Sequence, residues 1–240
     1  MLPEIFYLQM IAFLGGLVQG LTGFGVMLVA LPLMAFFIDI KTAIPLIVLL
    51  GMTINLILIF QLADHFAARR WLPLLLASLP GIPIGVWLHK SVSQRPLEIL
   101  VGAVLMATTA NTWLRIRPRQ TLGRTWAWIT GFTAGILAGS IGTSGPPVVI
   151  YTSLQPWHKS EIKATLVAFF MTNGLGVVVF YLYNHFFTAR ILELFAWCAL
   201  PLVLGVAAGS RLYGRINDET YRNAVIWLLG ILGLLMLLKG

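Results

Sequence analysis

Two short runs of this chain hold the groups an anion needs, without a charge among them. They are Gly20-Leu21-Thr22-Gly23-Phe24-Gly25 and Gly139-Ser140-Ile141-Gly142-Thr143-Ser144-Gly145-Pro146-Pro147. The first turn of a helix leaves three or four N–H groups with no partner inside the helix, at the positive end of its dipole. That is an anion site without an arginine. Glycine permits the positive φ and the close approach such a break requires. In the second run Pro146 and Pro147 suit a first helical turn, where no N–H is needed. Thr143, Ser144 and Gly145 are then predicted to offer N–H groups and two hydroxyls. In the first run Thr22, Gly23, Phe24 and Gly25 take the matching place, without the prolines. Gln19, Gly20, Gly139, Ser140 and Gly142 complete the predicted substrate loops. The spacing is not a nucleotide loop, because no strand precedes it and no Lys-Ser/Thr closes it. A bland alternative is helix packing: Gly16-xxx-Gly20, Gly131-xxx-Gly135-xxx-Gly139, Gly81-xxx-Gly85 and Gly205-xxx-Gly209 all fit a small-xxx-small seam.

The elements around these runs are too long for ordinary membrane helices. Ile5 to Ile38 covers 34 residues without a charge, and Thr125 to Trp157 covers 33. A continuous helix of that length reaches roughly 50 Å, against a hydrocarbon core of about 30 Å. Helices broken near the bilayer midplane resolve the excess, and many transporters build a substrate site that way. Hydrophobic residues make up 59% of the chain and charged residues 10%, with mean hydropathy +0.91. Soluble domains carry about 25% charge, so an all-α integral membrane protein is expected. Six further apolar segments fall near Thr42–Ala63, Trp71–Leu88, Ile99–Leu114, Ala164–Asn184, Leu194–Ser210 and Asn223–Leu238. The first apolar run lacks the basic start of a cleaved signal. The single cysteine, Cys198, excludes an internal disulfide and a cysteine-built metal site. The net charge of +8 sits at span ends rather than along one face, so it reads as topology and not as nucleic-acid binding.

The halves repeat. Gly16, Gly20 and Gly23 align with Gly135, Gly139 and Gly142 at one offset. Asp39-Ile40-Lys41 matches Glu161-Ile162-Lys163, Phe60 and His65-Phe66 match Phe180 and His185-Phe186, and Gly81-xxx-Gly85 matches Gly205-xxx-Gly209. The expected layout is residues 1–114 as first membrane repeat, 115–124 as basic cytoplasmic linker and 125–240 as second repeat. Each is a four-element repeat beginning with a broken or re-entrant helix, giving about eight transmembrane segments. If every long stretch is one span, the repeats are parallel and the positive-inside rule is balanced. If each is a re-entrant hairpin, the repeats are inverted and eleven of the 16 Lys and Arg fall on one side. That bias favours inversion, with both termini outside the cytoplasm.

Lys41 and Lys163 stand at the start of the span after each break. They fit either snorkelling at the interface or a pair of cationic gates. Asn55 and Asn173, each close to a Met-Thr pair, are uncharged polar groups inside apolar spans. They fit helix–helix hydrogen bonding or contact with substrate. Glu98, Glu193, His65, His89, His158 and His185 fall near span ends and read as interfacial. No deep carboxylate suggests a proton relay. Most tryptophans sit near span ends as interfacial anchors.

Gly16-xxx-Gly20-Leu-Thr-Gly23-Phe-Gly25 with Pro32, and Gly135-xxx-Gly139-Ser-Ile-Gly142-Thr-Ser-Gly145-Pro146, resemble the sulfite exporter TauE/SafE family of membrane permeases. The resemblance extends over essentially the whole chain. It implies a secondary transporter of a small anion in the cell (inner) membrane, a sulfur oxyanion such as sulfite or an organosulfonate, working by alternating access. The partners expected are the anion, the lipid bilayer, a coupling ion (H+ or Na+) and a second copy of the chain. No cofactor, metal or nucleic acid is expected. An intramembrane enzyme is disfavoured, because no deep His, Asp or Glu supplies a reacting constellation. The competing readings are a non-transporting subunit that anchors a partner, and a small-anion channel.

Overall fold

The computed structural model describes residues 2–22, 25–61, 67–114, 122–212 and 218–238. These residues form α-helices: α1 (Leu2–Thr22), α2 (Val26–Met34), α3 (Ile40–Gln61), α4 (Ala68–Ser78), α5 (Gly81–Ser91), α6 (Gln94–Leu114), α7 (Arg124–Ile141), α8 (Gly145–Ser153), α9 (Lys159–Tyr183), α10 (Ala189–Leu212) and α11 (Asp218–Leu238). Both long uncharged stretches are broken at their glycine runs, the first into α1 and α2 and the second into α7 and α8. Four single helices among the described residues have the length and hydropathy of a span, within α1, α3, α9 and α10. The apolar segment near Trp71–Leu88 is not one straight helix. It is the pair α4 and α5, bent by 44° and together a fifth candidate span. Its corner is Leu79-Pro80, where proline removes an intrahelical hydrogen bond. Large apolar side chains such as Phe6, Trp87, Val179, Leu200 and Leu204 are exposed, as the lipid-facing surface of an integral membrane protein requires.

The chain divides into two compact units that cut across the sequence repeats. One contains Met1–Leu50, Val92–Ile116 and Phe187–Gly240; the other contains Gly51–Ser91 and Arg117–Phe186. Of the expected linker 115–124, residues 115–121 lie outside the described set.

In the first unit α1 pairs with α10, and α6 with α11. The α1–α10 seam is glycine against glycine. A Cβ placed on Gly20 would stand 3.2 Å from the Cα of Gly209, and one on Gly16 would strike the Leu202 carbonyl. Lipid offers helices no hydrophobic drive to associate, so this backbone-to-backbone contact is what holds the pair. At the unit's edge Arg190 bonds Glu4 at 3.1 Å. The Arg95 guanidinium donates to the Met236 and Leu237 carbonyls at 3.2 and 2.6 Å, satisfying the end of α11.

In the second unit the same device recurs with the partners exchanged: α7 packs along α4 and α5. A Cβ on Gly85 would stand 2.9 Å from the Cα of Gly139, while Gly131 and Gly135 press on the carbonyls of Leu74 and Ser78. In each unit, then, the helix that precedes a break is clamped by a small-residue stripe from the opposite sequence half. The four pairs named in the sequence are all packing seams.

Candidate anion site

The second break is fully described. Gly142 terminates α7 in the left-handed region at φ 73°, ψ 4°, its N–H donating to the Ala138 carbonyl at 3.1 Å. Only glycine takes that conformation without a Cβ penalty. Ser144 is the N-cap of α8, its hydroxyl does not cap the helix, and prolines occupy the first turn. Among the described residues the N–H groups of Thr143, Ser144 and Gly145 form no backbone hydrogen bond. Thr143 is 5% exposed and Ser144 8%. Three N–H donors without a backbone partner and two hydroxyls therefore lie in succession at a helix start where Thr143 and Ser144 are buried. A buried donor costs free energy unless something accepts from it. An anion's oxygens satisfy that demand, with the α8 dipole adding its positive end.

The first break is built differently. Gly25 is the N-cap of α2 at φ 117°, again left-handed. Gln19 is buried, and its Oε1 accepts the Val26 N–H at 3.0 Å. A neutral carboxamide oxygen thus sits where an anion would stand, and this cap went unseen in the sequence, which offered Gln19 as a cavity residue. Gly23 and Phe24, and the side chain of Thr22, lie outside the described residues. The left-handed glycine thus ends the first helix of the second break but starts the second helix of the first break, where a side-chain oxygen already accepts from the helix start.

The remaining predicted residues separate. Gly20 and Gly139 sit in packing seams. The Ser140 hydroxyl bonds back to the Ile136 carbonyl at 2.7 Å. Asn173 donates to Ser78 Oγ at 2.8 Å, tying α9 to α4. Asn55 in α3 differs: it is 7% exposed, and its Oδ1 is buried without a hydrogen-bond partner among the described residues. An orphan acceptor in an apolar span is costly, so Asn55 retains the capacity for a ligand that Asn173 has committed to structure. Lys41 is half-buried in the first turn of α3, and the side chain of Lys163 is outside the described set.

Two residues read as interfacial are also buried against neighbouring helices. Glu98 is buried and accepts from Gln94 at 3.0 Å. His89 is 3% exposed, with Nδ1 2.9 Å from the Ser140 carbonyl. Proximity to a span end concealed both, because the bend between α4 and α5 carries His89 inward beside α7. Glu161 at the start of α9 does lie outside the spans. The His158 backbone N–H and the Arg70 guanidinium, 2.6 Å away, hold its carboxyl below the usual range, and Arg70 also stacks over Trp157.

The family model described as sulfite exporter TauE/SafE matches residues 8–236. This chain belongs to the TauE/SafE family. A curated relative, described as a probable sulfite/organosulfonate exporter, TauE, from Cupriavidus necator, is 26% identical over 164 residues. The match covers 66% of this chain and 64% of the relative. No solved structure matches the chain. The family match spans both breaks, so the resemblance seen in the glycine motifs holds for almost the whole chain.

Proposed function

We propose that this TauE/SafE protein is a secondary transporter of a small anion in the cell (inner) membrane, and that its cargo is a sulfur oxyanion such as sulfite or an organosulfonate. The carrying observation is the second break, where the N–H groups of Thr143, Ser144 and Gly145 form no backbone hydrogen bond among the described residues at the start of α8 and the Ser144 hydroxyl leaves that helix uncapped. Neutral donors suit an exporter's cargo: they hold an anion firmly enough to select it and release it without separating a buried ion pair. The Thr143 and Ser144 hydroxyls give more acceptor-matching donors than glycine alone, which suits a cargo with several equivalent oxygens.

Asn55 adds a second polar contact in the same unit. In the first half the sequence run Thr22, Gly23, Phe24 and Gly25 is the counterpart assigned to cargo, with Gln19 as the internal stand-in that an arriving anion displaces from Val26. Transport proceeds by alternating access, with Lys41 and Lys163 drawing anions toward the entrances. The coupling ion is H+ or Na+, and no catalytic step is assigned.

The test is counterflow of labelled sulfite into proteoliposomes containing the purified protein. Uptake that unlabelled sulfite and simple sulfonates compete away, and that cations and neutral solutes do not, is the result expected. Absence of flux with every anion, from folded protein, would overturn the proposal and favour a partner-anchoring subunit.

A further inference from the structure

The carbonyls at the end of α7 explain why the break stays open. The last four carbonyls of a helix have no intrahelical partner, and in α7 those belong to Ala138, Gly139, Ser140 and Ile141. Ala138 receives the Gly142 N–H at 3.1 Å. Gly139 receives the Tyr181 hydroxyl of α9 at 2.9 Å, and Ser140 faces His89 Nδ1 of α5 at 2.9 Å. A carbonyl only accepts, so Nδ1 carries the proton in this tautomer. His89 stands one turn beyond Gly85 on the face that touches α7, and that close contact brings its ring to Ser140. Phe186 and Tyr181 pack the imidazole, at 4.8 and 5.6 Å between ring centroids.

Were these two carbonyls left without donors in an apolar medium, the nearest remedy would be one more turn of helix. The next N–H groups in the i→i−4 series are those of Thr143, which would reach Gly139, and Ser144, which would reach Ser140. Those are two of the donors that the proposed anion site needs.

We propose that His89 and Tyr181 are positioning residues that hold the second break open: by donating to the Ser140 and Gly139 carbonyls they remove the demand that a further turn of α7 would meet, and leave the Thr143 and Ser144 N–H groups for cargo. The consequence for transport rests on the function proposed above; the consequence for the backbone does not.

Three variants separate the possibilities. His89→Leu removes the donor, and His89→Asn keeps a donor at nearly the same reach. Tyr181→Phe removes one hydroxyl while keeping the ring and its packing. In sulfite counterflow, His89→Leu and Tyr181→Phe are expected to raise KM about tenfold with Vmax within about twofold, and His89→Asn to stay near wild type. In hydrogen exchange followed by mass spectrometry, the same two variants are expected to slow exchange at Thr143 and Ser144, because those amides become helical. Simple loss of packing would quicken it. If both His89→Leu and Tyr181→Phe, each folded, leave exchange at these amides unchanged or faster, the positioning role is wrong, whatever the flux. Slowed exchange in a protein whose wild type carries no sulfite would instead retain the positioning role and remove the transport reading.

Discussion

Replacing Gly142 by alanine tests the site through its backbone alone. Gly142 lies at φ 73°, ψ 4°, where a residue bearing a Cβ costs about 1–2 kcal/mol. Alanine also favours helix, so the variant relieves that strain by extending α7 and engaging the donors of Thr143 and Ser144. If only the open break binds cargo, apparent affinity falls with the fraction that remains open. One to two kcal/mol corresponds to about a 5- to 30-fold rise in KM at 25 °C, with Vmax nearly kept at saturating sulfite. Asparagine tolerates the left-handed region better than alanine, so Gly142→Asn is expected within about threefold of wild type. The assay is initial-rate counterflow over a range of sulfite concentrations, with reconstituted amounts matched. Alanine and asparagine variants that both keep the wild-type KM would refute the argument that a left-handed Gly142 keeps the site competent.

Three further outcomes follow from the packing. Asn173→Leu breaks the bond to Ser78 and is expected to lower stability by about 0.6–1.7 kcal/mol, whereas Asn55→Leu removes an orphan acceptor, raises the melting temperature and weakens transport; thermal melts beside counterflow check the pair. Gly85→Val drives a side chain into the Ile136 carbonyl and is expected to abolish folded yield on size-exclusion chromatography, while Gly123→Ala, with open space around it, is silent. The stabilisation from Glu161 belongs to its ionised form, since its folded pKa is lowered by the His158 N–H and then by Arg70; it is present above the ordinary carboxylate pKa of about 4.3 and is lost as pH falls through the lower folded value. Melts on descending pH should therefore show a steeper loss for wild type than for Glu161→Gln.

Much of this was legible in the sequence because it rests on local rules. Excess length in an uncharged stretch demands a break, and glycine with paired prolines marks where the following helix starts. Hence α7, α8 and the start at Gly145 followed from the residues themselves. The small-xxx-small pairs were legible as packing surfaces, but their partners were not. Nothing in Gly81-xxx-Gly85 says that it meets α7, from the other half of the sequence, rather than α1. The same non-local contact brings His89 against Ser140, so a histidine near a span end in sequence proved buried between helices. The Gln19 cap escaped for another reason: a lone glutamine beside a break reads equally well as lining a cavity or closing it, and only the 3.0 Å approach of the Val26 N–H decides.

The central claim is that the amides of the second break hold the anion. It is tested most directly by amide hydrogen exchange across residues 139–148 of the wild-type protein in nanodiscs, with and without saturating sulfite. Protection confined to Thr143, Ser144 and Gly145, absent with a cation or a neutral solute, is the result the account predicts. Sulfite-driven transport with exchange at those three amides unchanged would contradict it and place the cargo elsewhere in the chain.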